Sequence, residues 1–344
     1  MAMRSVTVWA TSVKALVTGA GGFLGLYVVE QLVARGDRVR AFGRHTNPRL
    51  ANLGVEFCPG DLADREALRA ACEGVNAVFH IAGMAGLGGR WASYYAVNTL
   101  GTRNVIDACR RSRVRRLVYT SSPSVTFDAT DQEGIDESAP YPDRWLAYYP
   151  RSKALAEQAV LAANGSDGLA TCALRPHLIW GPRDRNLNPR LIDRARRGQL
   201  RRVGDGANMI DSVYVENAAT AHLQAADALS EGSPVAGRAY FISQGAPVNC
   251  WQWVDEILNL AGLPPVCKSL SFRAAWRMGW CYELVYRLLR LAGDPPLTRF
   301  LAAQMAKSHY FNISRARRDF GYEPRISHQE GMERMARALR QTSQ

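Results

Sequence analysis

Apolar runs with two different periods alternate along the first half of the chain. A short run predicts a strand over residues 13–18, and apolar residues then recur at helical spacing over 24–33. Gly36 ends this predicted helix. Further strands are predicted in the same way at 38–42, 55–62, 77–80 and 116–120. Because strands and helices alternate to about residue 180, the pattern predicts an α/β fold with a doubly wound parallel sheet.

The first predicted strand runs directly into a glycine-rich turn, Thr18-Gly19-Ala20-Gly21-Gly22-Phe23-Leu24-Gly25. Gly19 permits a tight turn, Gly22 lets the backbone approach a phosphate, and Gly25 lets the next helix pack close to the sheet. Phe23 and Leu24 lie at the start of that helix, whose free N–H groups point toward a bound anion. The order strand, turn, helix therefore predicts a site for the pyrophosphate of a dinucleotide.

The end of the second strand bears on which dinucleotide is bound. The Asp or Glu that usually binds the ribose 2′-hydroxyl of NAD is missing there, and Gly43 is followed by Arg44 and His45. Arg44 can pair with a 2′-phosphate, although an arginine at this position also suits an ordinary solvated surface. We therefore predict NADP(H) as the cofactor, with NAD(H) as the alternative.

Other candidate residues follow the third and fourth strands. Asp61, followed by Leu62, is predicted to face the adenine, and Ala82 leaves room for a ligand at the strand ends. His80 follows apolar positions, which favours a hydrogen-bonded core histidine over a catalytic one. Asn98 either braces the active site or only orders its helix, and the sequence does not decide between the two.

A serine, a tyrosine and a lysine occur in the order and at the spacing that hydride chemistry at a carbonyl requires. A ketone that accepts a hydride develops an oxyanion and needs a proton, which a phenol supplies when cationic neighbours lower its pKa. Lys153 follows Tyr149 by four residues, so both project from one face of a helix. Ser122, after the fifth strand, is predicted to bond to the carbonyl oxygen, and Lys153 also to hold the cofactor's ribose. The same tyrosine–lysine spacing occurs on ordinary amphipathic helices, but the serine and the glycine turn favour catalysis.

Composition and charge argue against several other classes of protein. The 344 residues suffice for a large two-lobed chain, and no signal peptide is apparent before residue 13, which favours the cytoplasm. The seven cysteines form no Cys-x-x-Cys pair, so we expect reduced thiols and no metal site. Residues 173–203 carry nine Arg and two Asp, and so supply +7 of the net charge of +12. Because no nucleic-acid motif accompanies them, we expect anionic small molecules rather than nucleic acid as ligands.

Residues 272–291 combine many aromatic and aliphatic side chains with five charges. Five charges in twenty residues exclude a membrane-spanning helix. The pattern suits an amphipathic helix peripheral to a membrane, a cover over an apolar substrate tunnel, a docking surface for a pathway-partner enzyme, or a core helix. These interpretations stay open from the sequence.

Several further segments complete a family pattern that covers nearly the whole chain. Besides the glycine turn they are Asp61-Leu62, Asn98 with Gly101-Thr102, Thr120-Ser121-Ser122-Pro123-Ser124-Val125, Tyr149 with Lys153, Leu174-Arg175-Pro176, Gly181-Pro182 and Tyr214-Val215-Glu216-Asn217. With them the chain resembles an extended short-chain dehydrogenase/reductase of the 3β-hydroxysteroid dehydrogenase-like branch. It departs from the sugar-nucleotide epimerases, which usually show Val-Tyr-Gly where this chain has Val125-Thr126-Phe127.

The resemblance implies a Rossmann domain of residues 12–181, to which 211–244 return, and a smaller, discontinuous substrate lobe of 182–210 and 245–344. It also implies that Pro176 passes the nicotinamide. Within this branch, one subfamily oxidises sterol 4-carboxylates, and a bacterial one reduces 2-alkyl-3-oxoalkanoates on the way to long-chain olefins. The loop 86–91 and the stretch 122–149 are most similar to the bacterial subfamily.

We therefore expect an NADPH-dependent homodimer that reduces a 3-oxo acid with long alkyl chains. The main alternative is a 3β-hydroxysteroid or sterol-4-carboxylate dehydrogenase. A nucleotide-sugar epimerase or reductase and a non-catalytic NADP sensor are less favoured.

A 3-oxo acid also needs a cation for its carboxylate. Arg90, Arg183 and Arg185 lie on loops after the fourth and sixth strands, at the edge where ligands bind in this architecture. One of them is predicted to hold the carboxylate, and Tyr214 is a further substrate candidate. The aromatic residues of 272–291 are predicted to line part of the channel for the alkyl chains.

Overall fold

The computed structural model of the chain describes residues 13–185, 187–291 and 293–342. Its strands are β1 (Lys14–Thr18), β2 (Arg38–Gly43), β3 (Glu56–Pro59), β4 (Ala77–His80), β5 (Arg116–Thr120), β6 (Gln132–Ile135), β7 (Ala170–Pro176), β8 (Ile179–Trp180), β9 (Arg202–Val203), β10 (Met209–Ile210), β11 (Val213–Tyr214), β12 (Arg238–Ile242), β13 (Val248–Asn249), β14 (Ser269–Leu270) and β15 (His309–Phe311).

Its helices are α1 (Phe23–Ala34), α2 (Pro48–Asn52), α3 (Arg65–Cys72), α4 (Trp91–Tyr94), α5 (Gly101–Arg111), α6 (Tyr148–Ala162), α7 (Leu187–Arg196), α8 (Val215–Ala228), α9 (Cys250–Leu260), α10 (Phe272–Leu288), α11 (Arg299–Ala306), α12 (Ser314–Phe320) and α13 (His328–Thr342). A π-helical turn, Tyr95–Leu100, joins α4 to α5, and short 3-10 turns lie at Pro123–Thr126 and Ser166–Gly168.

Seven strands form one parallel sheet in the order β12-β7-β5-β4-β1-β2-β3. The chain runs outward from β1 to β3, returns to β4 on the other side of β1, and continues outward through β5 and β7 to β12. The reversal between β1 and β4 is a topological switch point, and ligands bind outside the carboxyl ends of the strands at such points. The prediction of a doubly wound parallel sheet is confirmed.

Helices cover both faces of this sheet. On one face α1 packs against α8, around a core that includes Val28, Leu32 and Ala221. On the other face α3, α5 and α6 pack side by side over a second core that includes Val105 and Val160. Because both faces are buried, the central strands are almost continuously apolar.

The smaller lobe is built on a four-stranded sheet, β13-β10-β15-β6, and on an aromatic core with Trp180, Trp251 and Trp253. The predicted boundaries do not divide the chain cleanly. The strand β6 falls inside the range 12–181 but pairs with β15, because the long segment between β5 and α6 leaves the large sheet. Conversely, α12 follows residue 245 but packs on α8 and β12 of the large lobe.

Candidate active site

A cavity of about 1220 Å³ lies at the carboxyl edge of the large sheet, at its switch point. The large lobe contributes the glycine turn, the residues that follow β2, β4 and β5, and the first turns of α6. The small lobe contributes residues of α11 and β15. The cavity is therefore shared by both lobes and is large enough for a dinucleotide beside a second molecule.

Gly19 and Gly25 leave no room for a Cβ, and Gly22 leaves little. Gly19 has φ = +69°, and a Cβ there would lie 2.8 Å from the backbone nitrogen of Ala82. A Cβ at Gly25 would lie 2.1 Å from the Gly19 carbonyl oxygen, and one at Gly22 would lie 3.1 Å from it. Because α1 begins at Phe23, its unpaired N–H groups lie at this turn. This geometry suits an approaching pyrophosphate.

The other predicted cofactor residues line the same cavity: Phe23, Leu24, Arg44, Asp61, Leu62, Ala82 and Pro176. The Arg44 side chain is 71% exposed, and its Nε lies 4.0 Å from the Asp61 carboxylate. Asn47 caps α2 and donates from Nδ2 to the Gly21 carbonyl over 3.2 Å, which connects this loop to the glycine turn. The guanidinium of Arg44 is thus accessible to an anionic ligand.

Ser122, Tyr149 and Lys153 also meet in this cavity. Ser122 follows β5, and its Oγ lies 2.8 Å from Ser124 Oγ. Tyr149 is the second residue of α6, and Lys153 comes one turn later on the same face. Lys153 Nζ donates to the Thr120 carbonyl and lies 4.2 Å from the centre of the Tyr119 ring.

Burial controls the electrostatics of these groups. It raises the pKa of Tyr149, and a hydrogen bond with Ser122 only partly offsets this effect. Burial also lowers the pKa of Lys153 to about 7, against the opposing effect of the Glu157 carboxylate. The expectation that cationic neighbours lower the pKa of the tyrosine is therefore not met here, because desolvation is the larger effect. The phenol keeps its proton at neutral pH and can donate it.

A buried ion pair joins α6 to β7, and sequence reasoning missed it. Arg175 on β7 binds Glu157 on α6 at 2.5 Å from Nη2 to Oε1 and 3.0 Å from Nε to Oε2. Tyr141 donates to the same carboxylate over 2.7 Å. Glu157 lies one turn beyond Lys153, and this spacing of four residues is the signal in the sequence that indicates it.

Polar side chains also brace the site from below. Asn98 donates to the Met84 carbonyl and to Ser152 Oγ, both over 2.9 Å, and accepts from the Met84 N–H over 2.7 Å. Of its two predicted roles, the geometry therefore favours bracing. His80 is buried between Thr18 and Thr102, with its ring nitrogens 2.7 Å and 2.9 Å from their hydroxyl oxygens, as expected of a core histidine.

The predicted substrate residues do not come together. Arg183 forms a two-point ion pair with Glu30, at 2.6 Å and 2.8 Å, and is not part of the cavity wall. Arg90 precedes α4 and also lies outside that wall. Tyr214 is buried against Trp180. The geometry therefore does not support a substrate role for these three residues.

Arg185 is the one of the three predicted arginines that lines the cavity. It also lines a neighbouring groove together with Gly21 and Gly22. Its charge is therefore close to the glycine turn. Two further cavity residues, His177 and His309, were not singled out from the sequence. His177 directly follows β7, and His309 is the first residue of β15.

The segment 272–291 does not line the cavity as predicted. Its helix α10 packs on α11 through Ala275 and Gly279, and the described residues of the cavity wall include none from α10. Large apolar side chains on its outer side are exposed: Met278, Trp280, Leu284, Val285, Leu288, Leu289 and Leu291. In the described part of the chain, no helix is both long and apolar enough to span a membrane.

Residues 16–271 match the model of the 3-beta hydroxysteroid dehydrogenase/isomerase family. The chain belongs to this family. Its site thus sits in an oxidoreductase fold, and the resemblance drawn from the motifs is confirmed.

Individual relatives cover almost the full length of this family member. A 2-alkyl-3-oxoalkanoate reductase of Stenotrophomonas maltophilia is 50% identical over 324 residues, which cover 94% of this chain and 98% of the relative. A decarboxylating sterol-4-alpha-carboxylate 3-dehydrogenase of Mus musculus is 35% identical and covers 95% of this chain and 91% of its own. The solved structure of MoeE5 with UDP-glucose and NAD has a TM-score of 0.74 and 25% identity, and covers 96% of this chain and 100% of its own.

Proposed function

We propose that this protein reduces a 2-alkyl-3-oxoalkanoic acid to the 2-alkyl-3-hydroxyalkanoic acid with NADPH, in the synthesis of long-chain olefins. The observation that carries the proposal is the meeting of Ser122, Tyr149 and Lys153 with the glycine turn in one cavity. The relative that is 50% identical over nearly the whole chain supports the substrate class. The residues present fit a dinucleotide, because the glycine turn and the start of α1 line the cavity and the close packing of Gly19 and Gly25 requires residues without a Cβ.

Each catalytic side chain then has a defined task. A bound nicotinamide dinucleotide supplies the hydride that reduces the carbonyl carbon. Tyr149 donates its phenolic proton to the carbonyl oxygen, and Ser122 donates a hydrogen bond to the same oxygen. Lys153, held by the Thr120 carbonyl, contributes a positive charge beneath the site and donors for ribose hydroxyls. Pro176, at the end of β7, forms part of the wall of the same cavity.

The test of this function is Tyr149→Phe, which keeps the ring and removes the proton donor. We expect turnover of a 2-alkyl-3-oxo acid to fall by ~10²-fold or more while NADPH still binds. Tyr148→Phe is the matched control, because Tyr148 is the exposed neighbour and packs on Trp91 instead. Near-normal turnover in Tyr149→Phe contradicts the assignment.

We propose that Arg44 selects NADP(H) over NAD(H) by pairing with the 2′-phosphate. The exposed guanidinium, with only a 4.0 Å contact to Asp61, supports this role. Arg44→Ala is expected to weaken NADPH binding about tenfold and NADH binding by less than about twofold. Arg38→Ala removes the same charge from the opposite end of β2 and serves as control. Equal losses for both cofactors would show that Arg44 is only a surface residue.

The second candidate is a sterol-4-carboxylate 3-dehydrogenase, favoured by the relative that is 35% identical. Both candidates act on an acid with a 3-oxo or 3-hydroxy group beside a substituted carbon. Wild-type activity on 2-alkyl-3-oxo acids, a sterol 4-carboxylate and UDP-sugars, each with both cofactors, separates them. Higher kcat/KM for the sterol would replace the proposed substrate.

We further propose that the outer side of α10 docks on an anionic membrane surface. Its apolar side chains are exposed, and Arg273, Arg277, Arg287 and Arg290 form no ion pair with any other described residue. Exposed aliphatic groups together with unpaired arginines suit acyl chains and anionic headgroups. A partner enzyme and a second copy of this chain are the competing occupants of that side.

A further inference from the structure

We propose that His177 and His309 form the site for the substrate's carboxyl group, and that this pair takes up the carboxyl group together with one proton. The inference rests on the proposed function and assigns the substrate's carboxyl group to residues other than Arg185, the one predicted arginine that lines the cavity. Both histidines line the cavity that contains Ser122 and Tyr149. His177 comes directly after Pro176, at the end of β7.

The two rings form a buried, directly bonded pair. His177 Nε2 lies 2.6 Å from His309 Nδ1, and the ring centres are 4.7 Å apart at 72°. His177 is 7% exposed and His309 is 2% exposed. The residues are 132 positions apart in the sequence and come from different lobes. Burying polar atoms beside apolar side chains costs free energy unless each of them has a hydrogen-bond partner.

The hydrogen-bond chain fixes which ring nitrogens carry protons. His309 Nε2 lies 2.8 Å from the Gln304 carbonyl oxygen, which can only accept, so Nε2 carries the proton. In the neutral ring, His309 Nδ1 is then an acceptor, and His177 Nε2 must donate to it. His177 Nδ1 is left as a lone pair, and it has no hydrogen-bond partner among the described residues.

A carboxylate offers only lone pairs, so it cannot bond to this nitrogen unless a proton enters between them. Burial keeps both rings neutral in the free protein, because it lowers the pKa of His177 well below its ordinary value and lowers that of His309 as well. When the acid binds, one shared proton joins His177 Nδ1 to a carboxyl oxygen. The resulting ion pair, or its neutral equivalent, satisfies both groups.

Three charged or titratable groups near the histidine pair lie next to β6, β10 and α11: Asp131, Asp211 and Lys307, respectively. Burial lowers the pKa of His309, and the nearby charge of Asp131, beside β6, opposes this shift only weakly. Asp131 is itself paired with Lys307 over 2.9 Å. Asp211 follows β10 and accepts from the Phe311 N–H over 2.8 Å, and burial raises its pKa to about 6. Because the Asp131 charge is already neutralised by Lys307, the substrate carboxylate is the natural counter-ion for a protonated pair.

The neighbouring wall suits the rest of the substrate. The ring centres of Phe127 and Phe311 lie 6.0 Å from His309 and 5.2 Å from His177, respectively, and Phe300 packs on Phe127. All three phenylalanines line the cavity. An acid held at the histidines therefore has apolar surface beside it, which can bury alkyl chains.

The proposal makes a pH-dependent prediction with a definite sign. Above pH 6 the free acid is ionised and the free histidines are neutral, so binding takes up one proton. The KM for the acid is therefore expected to rise by up to about tenfold per pH unit between pH 6 and 8. The methyl ester of the same acid cannot share this proton, and its KM is expected to stay nearly constant.

Two variants of the full-length protein test the assignment. His177→Gln can still donate to His309 Nδ1 but cannot be protonated, and His177→Phe keeps a ring without polar atoms. Both are expected to raise the KM for the acid about tenfold or more at pH 6, with less than about twofold change for the ester and in the Kd for NADPH. Calorimetry of the stable 3-hydroxy acid product in buffers of different ionisation enthalpy is expected to show uptake of one proton by wild type and none by His177→Gln.

Other results would overturn the proposal. Weaker NADPH binding with an unchanged KM for the acid would assign the pair to the cofactor. Loss of acid binding in Arg185→Ala, with no effect of the histidine variants, would return the carboxylate to Arg185. Wild-type protein that reduces the ester and the acid with no pH-dependent difference in KM would exclude the shared proton. Wild-type protein that reduces neither would instead remove the proposed function itself.

Discussion

Helices α6 and α10 depart from the usual burial of apolar and exposure of polar side chains, and they do so in opposite directions. The helix α6 buries Ser152, Lys153 and Glu157. The helix α10 buries only two small residues and exposes Leu284 and Leu288. Each buried polar group of α6 has a partner inside the protein, whereas the described structure provides no partner for the outer side of α10. The role of a buried polar group can therefore be inferred from its partners within the protein. The role of an exposed apolar helix face depends on the molecule that covers it.

Desolvation explains why the partners on α6 are obligatory. Glu157 is fully buried, and its pKa stays below the ordinary value because the Arg175 guanidinium and a hydrogen bond from Tyr141 outweigh the effect of burial. The same carboxylate favours the charged form of Lys153 one turn earlier. The ion pair therefore neutralises the buried Glu157 carboxylate, which in turn favours the charged form of Lys153, next to the tyrosine proposed as the proton donor.

The largest effect is expected from breaking this pair. Arg175→Met leaves the Glu157 carboxylate buried without its counter-ion and is expected to lower the free energy of unfolding by about 3–5 kcal/mol. The exposed pair Arg111–Asp107 provides the control, because Arg111→Met is expected to cost less than about 1 kcal/mol. Urea unfolding measures both variants.

The double variant Glu157→Leu, Arg175→Met sharpens this prediction. It removes both charges, and we expect it to recover most of the stability that the single variant loses. Activity is expected to stay low in the double variant, since Lys153 loses the carboxylate that favours its charged form. An Arg175→Met variant that is as stable as wild type would contradict the role given to the pair.

Local spacing explains which parts could be predicted from the sequence. Gly19 to Gly25 and Tyr149 to Lys153 lie within single elements, so their geometry follows from one turn or one helix. The doubly wound parallel sheet was predicted from the alternation of strands and helices. Contacts such as His177 with His309 join distant segments from two lobes, and no local pattern reports them.

The predicted substrate arginines show that a correct loop position does not predict a free side chain. Arg183 has the expected loop position, but Glu30 on α1 neutralises it from 153 residues away. The pKa of Tyr149 was misjudged for a related reason, because the degree of burial is set by tertiary packing. The exposed character of α10 was among the interpretations that the sequence left open, and only packing against α11 shows which side is covered.

Lys153→Met is expected to have an intermediate effect that changes with pH. The folded pKa of Lys153 is about 7 against an ordinary value of 10.5, so between these values the unfolded chain binds more protons and wild-type stability rises with pH. Removing the amine is therefore expected to stabilise the protein by roughly 1–3 kcal/mol at pH 6 and by less at pH 9. Thermal unfolding at the two pH values measures the difference, and turnover is expected to fall sharply at both. A variant that is destabilised equally at both pH values would show that the amine makes no such contribution.

The smallest effect on stability is expected from substitutions at the exposed end of α10. This prediction tests the contrast between the buried polar groups of α6 and the exposed apolar groups of α10. Leu288 and Leu289 are 71% and 67% exposed, so replacing both with Gln is expected to change the free energy of unfolding by less than about 0.5 kcal/mol. The same change is expected to reduce co-sedimentation with vesicles that contain phosphatidylglycerol by about tenfold, because those side chains leave water only at the membrane. Leu100→Gln is the matched control, since Leu100 is 41% exposed but lies outside α10.

Vesicle binding by the wild-type protein is also expected to weaken with added salt and on pure phosphatidylcholine, which lacks the anionic headgroups that the four arginines would contact. If the double variant binds vesicles as wild type does but changes oligomeric state, the outer side of α10 is an interface between copies of this chain, and the membrane proposal is wrong.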